Sequence, residues 1–116
     1  MKTTLTAEQS AELIKHGVDK DKASLMQDDD RGRWPYPSVP IFTLADLLSL
    51  LPKEIKRDSL DRPYVLHIIR EEDRTIAAYR RDWDSITGAD KRTSEFIDSL
   101  YELLLWAIDN NHVKLD

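Results

Sequence analysis

The chain has 116 residues, 17 basic and 22 acidic, for a formal charge of −5. That length suits one domain with its own core over 1–116, and the acidic balance argues against broad electrostatic capture of nucleic acid. With no Cys there is no disulfide, thiolate nucleophile or thiolate metal site, and the longest apolar run, residues 103–108, is far short of the roughly 20 residues that cross a bilayer.

The first ten residues, "MKTTLTAEQS", hold no apolar core of a secretion signal. The expectation is a cytoplasmic protein without a membrane span. A first helix is predicted over 7–16. Thr6 and Gln9 have capping-box spacing, in which the hydroxyl meets an early backbone N–H and the amide reaches back. Ala7, Ala11 and Ile14, with Leu13, form its apolar stripe, and Gly17 stands where a left-handed residue ends a helix. His16 is placed to meet the carbonyl end of this helix. Asp19 is expected to cap a second short helix over 20–26, with Ala23 and Met26 facing inward.

Residues 27–40 read as an extended connector, because Pro35, Pro37 and Pro40 forbid a helix and a central strand. Asp28, Asp29 and Asp30 are adjacent acids whose mutual repulsion keeps them in water. An EF-hand register from Asp19 fails at Ala23 and Ser24, where an oxygen ligand and a Gly are needed. Trp34 and Tyr36, among the prolines, either lid the core of their own domain or form a contact surface for another chain.

The Leu-rich segment 44–51 is a helix capped by Thr43 with Asp46 three residues on. Leu44, Leu47, Leu48 and Leu51, widened by Leu50 and Ala45, make it apolar nearly all round, which predicts burial on several sides. Pro52 ends it. A β-hairpin follows, 64–70 and 75–81 around the polar turn "EEDR". Tyr64, Leu66 and Ile68 share one face of its first strand and Val65, His67 and Ile69 the other, which predicts a central strand covered on both sides. Residues 54–62 suggest a short edge strand, and 81–90 a loop or fragmentary strand. A long helix is predicted over 93–110, with Ile97, Leu100, Tyr101, Leu104, Ala107 and Ile108 as its stripe. Asn110-Asn111 suits a left-handed exit. Val113 and Leu115 either form a small strand or pack loosely.

The order predicts an α+β fold: a small antiparallel sheet of two to three strands with a central hairpin, packed by N-terminal helices, a Leu-rich middle helix and a long C-terminal helix. Catalytic signatures are missing. The serines lie outside any Gly-x-Ser-x-Gly elbow, three isolated glycines cannot build a phosphate loop, and Glu71, Glu72 and Asp73 sit at an exposed hairpin tip. None of His16, His67 and His112 has a partner at metal-ligand spacing, and no cofactor or metal is expected. Arg70, Arg74, Arg80 and Arg81 cluster on the hairpin as a possible anion contact, interleaved with acids that offer cross-strand ion pairs. Leu105 and Trp106, with Leu103, lie off the stripe of the long helix. Either the chain covers that helix on two sides, or a second copy covers the surplus.

Three stretches, "LTAEQSAELIKHGVD" (5–19), "PIFTLADLLSLLPKEI" (40–55) and "LYELLLWAIDNN" (100–111), resemble a family of short proteins of unknown function from gut and oral anaerobic bacteria, often encoded near mobile elements. The family places a Trp where this chain has Phe42. The resemblance implies an intracellular bacterial or phage-like origin and carries over no residue roles. The functional expectation is a small non-enzymatic interaction or regulatory protein. Its surface would comprise Trp34, Tyr36, Leu105 and Trp106, its partner another protein or a second copy. The alternative is a nucleic-acid-associated accessory protein using the arginine hairpin.

Overall fold

Two helix stop signals, a Gly and an Asn, both act as their chemistry dictates. In a computed structural model describing residues 2–28, 38–56, 62–81 and 84–113, helix α1 (Ala7–Lys15) ends with Gly17 at φ 108° and helix α3 (Phe96–Asp109) with Asn111 at φ 62°. Each exit is a Schellman closure. Val18 N–H donates to the Leu13 carbonyl and Gly17 N–H to Ile14. His112 N–H donates to Ala107 and Asn111 N–H to Ile108. At the front of α1 the Thr6–Gln9 capping box is complete.

The order is α1, β1 (Leu25–Asp28), β2 (Ser38–Ile41), α2 (Leu44–Leu50), β3 (Glu54–Ile55), β4 (Tyr64–Arg70), β5 (Thr75–Arg81), β6 (Asp84–Thr93) and α3. The fold is α+β and every strand pairing is antiparallel. The expected sheet of two to three strands is too small: β3-β4-β5-β6 is a four-stranded meander, and β1-β2 is a separate two-stranded ribbon. The added strand is β6. Its composition hid it, since Asp, Ser, Gly and Lys are poor strand formers. Its pairing with β5 also shifts register between Ala78 and Arg80, with Gly88 at φ 87° in the irregularity.

The expected helix over 20–26 is replaced by one 3-10 turn, Lys20–Lys22, capped by Asp19, after which the chain enters β1. Met26 is 62% exposed rather than inward. Isolated, "KASLMQ" carries no capping box and no second turn to propagate, whereas pairing with β2 satisfies its backbone. Pro40 is tolerated in β2 because the ribbon is only two strands wide.

The meander has two unlike faces. Register places Tyr64, Leu66 and Ile68 beside Ala77 and Tyr79 on one face, and Val65, His67 and Ile69 beside Ile76, Ala78 and Arg80 on the other. The first face meets α3. Tyr79 is fully buried, its ring lies 6.1 Å from that of Trp106, and the Ser99 hydroxyl donates to the Thr75 carbonyl at 2.8 Å. Tyr79 also donates to the Pro52 carbonyl at 2.7 Å, and burial pushes its phenol up from the usual value. The cover expected on both sides of β4 is incomplete on each: Val65 is 43% and Ile68 40% exposed and His67 is exposed, whereas Ile76, Ala77 and Ala78 on neighbouring β5 are buried.

α3 is the centre of the core. Its buried residues, Ile97, Ser99, Leu100, Leu103, Leu104, Ala107 and Ile108, span about half its circumference at ~100° per residue. Ser99, whose hydroxyl bonds the Thr75 carbonyl, and Leu103 one turn on mark the sheet side. Leu103 is therefore covered within the chain, while Leu105 and Trp106 are half-buried. α2 is less enclosed than its composition suggests: Leu47 is buried, but Leu48 is 39% exposed.

Polar ties clamp α1 along α3. Lys2 Nζ lies 2.8 Å from Asp98 Oδ1, which also accepts from Gln9 Nε2 at 3.0 Å. At the other end the His16 ring stands between Glu12 (3.0 Å) and Asp109 (3.3 Å). Burial raises the Asp98 carboxyl, but the Lys2 and Gln9 bonds outweigh it and hold it below the ordinary range. Asp90 is lowered chiefly by its Arg92 bond, against burial and with the charges of Arg92 and Arg80. Such groups contribute stability that is fully present above the unfolded-state carboxylate value and lost as pH falls through their lower folded values. Acid titration should thus leave stability nearly flat at neutral pH and lower it progressively below about pH 4. Lys2→Met should flatten that acid limb, which urea midpoints against pH would show.

Candidate interaction surface

The residues singled out from sequence are not gathered in one place. Trp34 and Tyr36, with Asp29 and Asp30, fall outside the described residues, as do Lys114–Asp116 at the end; in sequence Trp34 and Tyr36 belong to the connection between β1 and β2. Leu105 and Trp106 are half-buried against the core. Trp106 has two ring neighbours: Tyr79, tilted at 6.1 Å, and His112, stacked at 5.2 Å and 28° from parallel. A Cβ on Gly88 would come within 3.2 Å of its indole nitrogen. Both residues line an open depression with Lys91, Glu102, Asp109 and Asn110.

The arginines are divided. Arg70 pairs with Thr75 at one end of the hairpin and Arg80 with Val65 at the other, about 17 Å away at ~3.4 Å per residue. They also point to opposite faces. Arg70 donates to Thr75 Oγ1 at 2.8 Å, and Arg74 binds Glu71 at 3.3 Å. Arg80 faces Asp90 at 3.6 Å. Arg81 faces Asp84 at 3.5 Å and lies 4.3 Å above the Tyr64 ring. Three of the four therefore have acidic partners, Glu71 within the hairpin turn and Asp84 and Asp90 on β6, and the four do not converge on one point.

Among the described residues no group of three or more His, Asp or Glu converges to hold a metal. His67 is exposed and stands opposite buried Ala78. No described helix is long and apolar enough to cross a membrane.

The most exposed large apolar side chains described are Met26 at 62% and Leu25 at 46%. They are neighbours in β1 and therefore project from opposite faces of the ribbon. Leu25 stands opposite Ile41, which is buried, and Met26 opposite half-buried Pro40. Sequence reasoning missed both, because a helical reading of 20–26 turned Met26 inward. The usable signal was the alternation around Pro40, which allows an edge strand.

The ribbon joins the core at two points. β2 is anchored by buried Ile41 and Phe42, the Phe42 N–H donating to Ser10 Oγ at 3.2 Å. β1 is held by Asp46, at the third position of α2. Its carboxylate accepts from Ser24 N–H at 2.8 Å, from the Ser24 hydroxyl, and from Thr43 N–H at 2.9 Å. Burial alone would raise this carboxyl. The Ser24 side-chain bond and the Thr43 and Ser24 amides outweigh burial and lower it.

No family model, curated protein or solved structure matches the chain.

Proposed function

We propose that the chain is a small non-enzymatic interaction protein that contacts another protein, a second copy of itself included, through the β1–β2 ribbon. The exposure of Leu25 and Met26 on a ribbon whose connecting segment contains Trp34 and Tyr36 supports this reading. Each face of the ribbon thus carries one exposed large apolar side chain, Leu25 on one and Met26 on the other, which suits an edge that a partner grips from both sides.

The test is a Leu25→Ser, Met26→Ser double variant. Both positions are exposed, so folding stability should change by only about 0.5 kcal/mol per site. Self-association in sedimentation, or binding to a partner captured by the wild type, should weaken roughly tenfold or more if these are anchors. A wild type and a double variant that are equally monomeric and capture the same proteins would overturn the reading. The nucleic-acid alternative predicts a gel shift that strengthens as salt falls. No shift at low salt removes it.

A further inference from the structure

We infer that the Ser24–Asp46 bracket is a latch for β1, and that β1 opens there as a local unit while the rest of the fold stays closed. This inference does not depend on whether the ribbon binds a partner. Among the described residues, β1 has little else to hold it. Leu25, Met26 and Gln27 are all exposed, so hydrophobic burial contributes little to its placement. Its ladder partner is four residues long and contains Pro40 directly opposite Met26. That proline donates no ladder bond, and a two-stranded ribbon is marginal by itself.

β2, in contrast, is fixed independently of β1. Ile41 and Phe42 are buried, the Leu5 N–H donates to the Phe42 carbonyl at 2.9 Å, and Phe42 N–H is bound by Ser10. The two sides of the hairpin are therefore unequally held. The residue immediately before β1 is Ser24, and both its donors end on the one buried carboxylate. Asp46 itself does not depend on β1 for its position, because Thr43 N–H and the Thr43 hydroxyl fix it within the α2 capping box. A pre-positioned acceptor on a rigid cap and a lightly packed strand beginning one residue later make a catch at the base of an arm. Release would bare the hydrogen-bonding edge of β2.

Native-state amide hydrogen exchange reads this directly. Ser24→Ala removes the charged-acceptor hydroxyl bond and leaves the α2 cap intact. Asp46→Asn keeps the shape but removes the charge. Each should speed exchange of the protected amides in 25–28 by about tenfold, the scale of one hydrogen bond to a charged group. Amides of β5 and α3 should keep their wild-type rates. Unchanged β1 exchange in Ser24→Ala would overturn the latch. So would equal acceleration across β1, β5 and α3, which would make the bracket an ordinary contributor to global stability.

Discussion

Leu103→Ala is expected to destabilise the protein by about 2–5 kcal/mol, as much as Leu100→Ala. Both side chains are fully buried. Leu100 belongs to the helical stripe legible in the sequence. Leu103 lies outside that stripe, on the side where Ser99 bonds the β5 backbone and Trp106 packs on Tyr79. A helix covered on one side only would leave Leu103 near solvent, and its truncation would cost no more than a surface change of about 0.5 kcal/mol. Urea unfolding of the two variants separates these cases. Two comparable falls in midpoint at constant m-value support the two-sided core. A wild-type midpoint for Leu103→Ala would mean that the sheet does not pack where it is placed.

Gly88→Val should be the most damaging exposed substitution, costing about 2–4 kcal/mol, with Gly88→Ala losing about 1–2. Gly88 has φ 87°, which side-chain-bearing residues rarely adopt, most of all β-branched ones. Any Cβ there also meets the Trp106 indole at 3.2 Å. The two causes can be told apart. Trp106→Phe should recover the contact part of the loss and none of the backbone part. Thermal midpoints of the wild type, Gly88→Val, Trp106→Phe and the double variant decide it. A Gly88→Val protein as stable as wild type would contradict the backbone conformation of β6.

Most of the helical framework was readable because its signals are local. Thr6 with Gln9 and Thr43 with Asp46 form the boxes their spacing requires, and Gly17 and Asn111 take the left-handed conformation. The hairpin of β4 and β5 has the predicted limits. The start of α3 was placed three residues early, since Thr93 closes β6 and its hydroxyl is engaged by Ser99 rather than capping. What could not be read depends on distant partners. β6 is a strand because β5 offers it an edge, and β1 because β2 returns beside it. Neither has an apolar alternation of its own. The arginines were legible as a cluster in sequence but not as two groups on opposite faces, since that follows from strand length and register. The Asp46 bracket was half legible: the capping role was visible in the spacing, but its bond to Ser24 crosses 22 residues and leaves no local trace.

The ties between Lys2 and Asp98 and between His16 and Asp109 join groups 96 and 93 positions apart. The meander and α3, by contrast, are consecutive in the chain and can meet through short excursions. Loop-closure entropy therefore favours a sequence of events in which residues 64–109 collapse first and the N-terminal helix docks late. Substitutions at the docking ties should then accelerate unfolding and leave the refolding rate almost untouched, while substitutions at Leu103 or Tyr79 slow refolding itself.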